Sequence, residues 1–305
     1  MKALGYIITL IALIFVVKAV ISMKLDLTQI KNPISAIIWL IIISAGFCVI
    51  VYISAFSWKM ILEFINKSKI PYHDLSPVYV KANIGKYLPG NFMHFAGRNI
   101  LAGRLGFKQF DIAFSSVVEI ITLIFTACFW SFLLSMNNFI SIIANAFTKL
   151  NLLLIIIISV IALLSVMILV WKFLIKDKYY QKFRHFLTKH FLILLSKLFL
   201  IYSFTMLISG FFLTIIFYFV LHSSISLSTF MIIVSAYTIS WVAGYIVPGA
   251  PGGIGVRESI LLFLLGQSFS GETALLAILL HRLTSIAGDI IAFFIQPIIY
   301  KRIKS

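Results

Sequence analysis

The sequence has little charge of any kind and very little negative charge. Charged residues make up 11% of its 305 positions, and there are 9 Asp and Glu against 25 Lys and Arg. A water-soluble globular domain carries about 25% charged residues. Hydrophobic residues make up 62% of the chain, more than an aqueous core can hide, so lipid is the expected solvent. Cysteine is scarce too. Cys48 and Cys128 both lie in apolar runs, which excludes a disulfide framework and reads as two small buried hydrophobes. There is no Cys/His metal spacing, no phosphate-binding loop and no close acidic pair, so no metal, cofactor or catalytic residue is assigned. A basic chain invites a nucleic-acid partner, but here the Lys and Arg fall in loops between apolar runs. That is how membrane proteins fix their orientation, and membrane lipids are the expected partners.

A spanning helix needs about 20 largely apolar residues. Stretches 3–23, 33–58, 112–136, 150–171, 198–221 and 273–300 qualify. The first, led by Lys2, is expected to be a retained helix and not a cleaved signal, since no small-residue cleavage site follows it. Stretch 228–247 is long enough to span but runs into a Pro/Gly cluster, and 76–105 is too polar and too interrupted. The expectation is an all-α polytopic membrane protein, residues 1–305 forming one integral domain with six to eight transmembrane helices. Basic residues collect at 57–110 (Lys59, Lys67, Lys69, Arg104 and Lys108 among them), at 172–197 and in the tail at Lys301, Arg302 and Lys304. Loops 137–149 and 222–229 are nearly neutral. The positive-inside tendency then puts both termini in the cytoplasm.

An internal match organises the interrupted segments. Residues 85–98 read GKYLPGNFMHFAGR and residues 244–257 read GYIVPGAPGGIGVR. Gly85, Pro89, Gly90 and Arg98 reappear as Gly244, Pro248, Gly249 and Arg257, each 159 positions later. Upstream, Tyr79 and Tyr237 occupy nearly the same place. Proline breaks a helix and glycine reaches positive φ cheaply. Gly85, Pro89 and Gly90, and then Pro248, Gly249, Pro251, Gly252, Gly253 and Gly255, therefore mark two structural breaks. In lipid, broken backbone survives only inside protein or beside a wet cavity. Two such segments at matching places in two halves, about 57–135 and 229–300, point to a transporter site. If each is a hairpin, the first enters from the cytoplasm and the second from outside, which makes an inverted repeat. The alternative, in which stretches 228–247 and 259–270 both span, stays open.

Ionised groups inside a membrane default to functional candidates. Arg98, Arg257 and Glu258 sit in the repeat motifs, Glu119 lies well into its apolar run, and Arg282 and Asp289 are seven residues apart on one helical face. These six are the candidate substrate-binding residues. Arg98 and Arg257 are weighted towards phosphate, because a guanidinium fork matches it. The competing reading makes the set structural salt bridges. His94 and His281 read as satisfied bundle residues, and Lys81, Lys86, Arg104 and Lys108 as attractors of anionic headgroups or topology signals.

Tyr87-Leu88-Pro89-Gly90 followed by Gly97-Arg98, and above all Pro251-Gly252-Gly253-Ile254-Gly255-Val256-Arg257-Glu258, resemble the transmembrane region of lysylphosphatidylglycerol synthase and its stand-alone relatives. Arg282 fits the same pattern. The resemblance covers nearly the whole chain. It implies a bacterial or archaeal inner-membrane flippase for a lipid or lipid-linked intermediate. The synthase's soluble aminoacyl-transferase domain is not expected here, so lipid lysylation is not carried over. Envelope-biosynthesis enzymes and further copies of the chain are open as partners. A membrane glycosyl- or phospho-transferase, or an accessory subunit of one, is the alternative. It would need clustered acidic residues, and those present are scattered.

Overall fold

The computed structural model describes residues 27–88, 92–134, 188–246, 253 and 255–304. The expected spans 3–23 and 150–171, and the breaks at Pro89, Gly90, Pro248, Gly249, Pro251 and Gly252, lie outside those residues. The chain divides into two compact units, residues 1–134 with 198–305, and residues 135–197. Of the second, only the first turns of one helix, from Lys189, are described. Everything below concerns the first unit.

The described residues are helical and contain no strand. The helices are α1 (Pro33–Asn66), α2 (Tyr72–Asn83), α3 (Met93–Gly103), α4 (Gln109–Leu134), α5 (Lys189–Ile215), α6 (Leu227–Ile246), α7 (Val256–Leu265) and α8 (Gly271–Lys304). A 3-10 turn, Ile84–Tyr87, follows α2, and a π turn, Ile216–Val220, ends α5. Five of these helices (α1, α4, α5 with its π turn, α6 and α8) are long and apolar enough to cross a membrane.

The long helices outrun the apolar stretches. α1 continues past Trp58 to Asn66, and α8 past Tyr300 to Lys304 with Pro297 inside it. At 34 residues each, they measure about 51 Å at 1.5 Å per residue, against about 30 Å of hydrocarbon. Hydropathy ends where lipid ends, whereas a helix continues for as long as its backbone ladder is made. On α1 the extra turns carry Lys59–Glu63, an ion pair at 2.8 Å one helical turn apart. Local chemistry sets the ends. Asn32 Oδ1 accepts from Ser35 N at 3.2 Å, just before Pro33. Lys67 then turns left-handed at φ 52°, and Ile70 N donates to Glu63 Oε1 at 2.8 Å.

The packing is inside-out relative to a soluble protein. Large apolar side chains such as Ile34, Ile41, Phe125, Leu200 and Phe263 face outwards, while Ser57, Ser115, Thr126, Ser131 and Thr238 are buried. Hydroxyls join helices where there is no hydrophobic drive between them. Trp58 Nε1 donates to Ser115 Oγ at 2.9 Å between α1 and α4, and Ser131 and Thr238 share a hydrogen bond of 2.7 Å between α4 and α6. Cys128 corrects an expectation: Cys48 is buried, but Cys128 is exposed on α4. An apolar run is a sign of lipid contact as much as of protein interior.

Residue pairs fix the helix directions. Thr273 Oγ1 donates to Gln29 Oε1 at 3.1 Å, and Tyr52 OH donates to Ala292 O at 3.2 Å, so α8 runs parallel to α1. Between them Gly288 allows close approach, since a Cβ there would lie 2.4 Å from Phe47 Cβ and 2.8 Å from Ser44 O. Trp39 stacks on Phe219 and Phe47 meets Phe212, so α5 is antiparallel to α1. The Trp58–Ser115 bond sets the start of α4 beside the end of α1. The ends of α1 and α8 and the start of α4, with Lys67, Lys108 and Lys301 in the sequence there, therefore fall at one end of the bundle. α2 starts at that basic end, where Tyr72 OH donates to Tyr52 O at 2.8 Å. α6 starts at the other end, just past the π turn. The helices that lead into the two interruptions, α2 and α6, thus start at opposite ends of the bundle.

Candidate functional site

Described residues on either side of both interruptions, Tyr87 and Arg98 in one case and Tyr245 and Arg257 in the other, line the same cavity, of about 200 Å³, level with the middle of α1 and α8. Its lining includes all six candidate residues, Arg98, Glu119, Arg257, Glu258, Arg282 and Asp289, and also Lys86. The structure brings the candidates together, but it treats the two arginines of the repeat differently.

Arg98, on α3, is committed. Its Nη1 donates to Glu119 Oε2 on α4, and Tyr79 OH donates to Glu119 Oε1 at 2.9 Å. The guanidinium carbon lies 3.9 Å from the Tyr79 ring centre, a cation–π contact. Arg98 and Glu119 are each 2% exposed. Gly85 lets α3 start against the 3-10 turn, since a Cβ there would lie 3.1 Å from His94 N.

Arg257, on the first turn of α7, sits in a slot made of glycine. A Cβ on Gly244 would lie 2.3 Å from Arg257 Cγ, and one on Gly253, at φ 75°, would lie 2.7 Å from Arg257 Nε. Trp241 gives it an aromatic face, 5.4 Å from the guanidinium carbon. Among the described residues no carboxylate lies within ion-pair distance of Arg257; its buried Nε has no hydrogen-bond partner, which is equally true of Arg98 Nε, so the carboxylate is what separates the two. The repeat explains why. Tyr79 meets Glu119, ten residues after the first residue of α4; Tyr237 meets His281, ten residues after the first residue of α8, with ring centres 5.2 Å apart. Where α4 supplies a carboxylate to Arg98, α8 supplies His281 and then Arg282 near Arg257.

The other carboxylates are occupied. Glu258 Oε2 accepts from Gly255 N at 2.6 Å, closing the start of α7 at a glycine with φ 87°, and its Oε1 lies 3.7 Å from Arg282 Nε. Asp289 accepts from Lys86 Nζ at 2.7 Å, from Asn83 Nδ2 at 2.7 Å and from Tyr87 OH. The Tyr87 ring also lies 5.9 Å from the Arg282 guanidinium carbon. His281 is satisfied, as expected: its Nε2 contacts Ser209 O at 3.0 Å, and its ring meets Phe47 edge-on; His94 departs from the expectation, since its buried Nδ1 has no hydrogen-bond partner among the described residues.

Lys86, Asn83, Tyr87 and Trp241 were not singled out as site residues from the sequence. Lys86 and Tyr87 follow Gly85 inside the repeat motif, a signal that could have flagged them. Nothing in the sequence marked Asn83 or Trp241. Neither a scan of protein-family models nor a search of curated proteins finds a match to this chain.

Proposed function

We propose that this chain is a multi-pass transporter that moves a phosphate-bearing lipid between the leaflets of a bacterial or archaeal inner membrane, as the flippase region it resembles does. The observation that carries this reading is the position of Arg257. It has no carboxylate partner among the described residues and lines, with Arg282, a polar cavity at the middle of an apolar bundle. A cation at such depth is costly without an anion, and guanidinium forks match phosphate oxygens. In this reading Arg257 and Arg282 hold the phosphate, Glu258 orients Arg282, and Asp289 with Lys86 forms the opposite wall. Arg98 serves chiefly to tie the first hairpin to α4 through Glu119, because its charge is already matched. An aminoacylated or anionic phospholipid and a polyprenyl-phosphate intermediate are the candidate cargoes, and an ion gradient or mass action drives the exchange.

The two interrupted segments are re-entrant hairpins of an inverted repeat in this reading. The starts of α2 and α6 at opposite ends and the shared cavity support it. The basic end of the bundle is cytoplasmic, as are both termini. Reconstitution into liposomes tests the proposal. Fluorescent forms of the three lipid classes are placed in both leaflets, and the fraction open to an external quencher is followed. At least one class is expected to exchange faster than in protein-free liposomes; no acceleration for any of them refutes transport.

A further inference from the structure

We infer that the cavity takes a singly charged phosphodiester headgroup and rejects doubly charged phosphomonoester and diphosphate groups. This deepens the transport reading and rests on it for the identity of the ligand as a lipid. Among the described residues the cavity wall carries four cations, Lys86, Arg98, Arg257 and Arg282, and three carboxylates, Glu119, Glu258 and Asp289. Glu119 answers Arg98, and Asp289 answers Lys86. Glu258 is left with two arginines, 3.7 Å from one of them. Among the described residues the surplus is one positive charge, and it sits on the Arg257 side; residues 89–91, 247–252 and 254 carry no ionisable side chain.

At this depth an unmatched charge of either sign is costly in the low dielectric of the bundle, so the ligand should match the surplus. A phosphodiester brings one negative charge and leaves the filled site neutral. A diphosphate leaves at least one unmatched negative charge, with a penalty on the order of a hundredfold in affinity. An uncharged or zwitterionic headgroup leaves the cation unanswered. The neutral lining suits a hydroxylated headgroup. Ser240 and Ser285 each donate to a carbonyl of their own helix, which leaves their oxygens as acceptors for a ligand hydroxyl.

The test uses the full chain and lipids that share their acyl chains. These are a glycerol phosphodiester (phosphatidylglycerol), a phosphomonoester (phosphatidate), a diacylglycerol diphosphate, phosphatidylcholine and uncharged diacylglycerol. The assay runs at about pH 8, where a phosphomonoester is doubly ionised. Affinity in detergent is read by ligand-induced thermal stabilisation, and exchange is read separately in liposomes. The phosphodiester should bind best. Glu258→Gln keeps an acceptor for Gly255 N, since Gln serves in the same capping position, and it raises the surplus to two. It should move the preference towards the diphosphate by about tenfold or more. Arg257→Gln lowers the surplus to zero and should move the preference towards phosphatidylcholine. A wild-type preference for the diphosphate overturns the inference, and so does an unchanged order in both variants. The expected order of binding with no exchange in liposomes sinks the transport reading and leaves this one standing. Exchange with the wrong order does the reverse.

Discussion

The Arg98 guanidinium donates to the Glu119 carboxylate from α3 to α4, with 3% and 2% of the two side chains exposed. A buried pair of this kind stabilises little compared with a well-packed apolar pair, but breaking it strands a charge. Arg98→Ala is expected to destabilise the protein by about 3–5 kcal/mol, seen as lost folded protein in detergent and a lower melting temperature. Arg98→Leu combined with Glu119→Leu should recover most of that loss. If Arg98→Ala alone melts like the wild type, the pair is not holding the hairpin to α4.

Arg257 should behave in the opposite way. Among the described residues its removal strands no ion-pair partner, and it takes away one of two like charges, Arg257 and Arg282, that line one cavity. Arg257→Ala is therefore expected to fold normally and to lose roughly ten- to a hundred-fold in lipid affinity, the value of about 1.5–3 kcal/mol for a charge-assisted contact. Arg257→Lys keeps the charge but not the fork and should also be impaired. Exchange per folded molecule is the measurement, and a wild-type rate for Arg257→Ala would remove the phosphate site.

The α1–α8 crossing predicts a purely structural defect. A Cβ at Gly288 would fall 2.8 Å from Ser44 O and 2.9 Å from Cys48 N, which are backbone atoms that cannot swing aside. Gly288→Ala should cost about 1–3 kcal/mol through overpacking. Thermal unfolding in detergent checks this. Gly271→Ala, where nothing lies within 4 Å, is the control and should melt near the wild type.

Orientation follows from the basic end. With Cys48 and Cys128 replaced by Ala, a cysteine at exposed Ser226 should react with an impermeant reagent from outside the cell. One at exposed Ser68 should react only after permeabilisation. The reverse pattern would put the basic end outside.

Much of the fold was legible because lipid imposes a coarse rule. Long apolar runs gave α1, α4, α5 and α8. The helices run on past the apolar stretches at Trp58 and Leu198, since the backbone ladder continues beyond the point where hydropathy falls. The six charged candidates did converge on one cavity. Their partnerships were not legible. Arg98 and Arg257 are equivalent in the motif, and only the helix that follows each one, with Glu119 in one case and His281-Arg282 in the other, sets them apart. Lys86 looked like a topology signal because nothing in the sequence brings it to Asp289, about two hundred residues away.

The glycine slot around Arg257 ties two positions into one heritable unit. A side chain at Gly244 would occupy space already filled by Arg257, and a shorter residue at 257 would leave Gly244 without that purpose, whereas Gly253 stays bound to glycine by its φ of 75°. Drift at 244 is harmful while the arginine remains. In a set of descendants positions 244 and 257 should be kept together or abandoned together, and a lineage that has lost the arginine should show alanine or serine entering at 244 soon afterwards while 253 remains glycine.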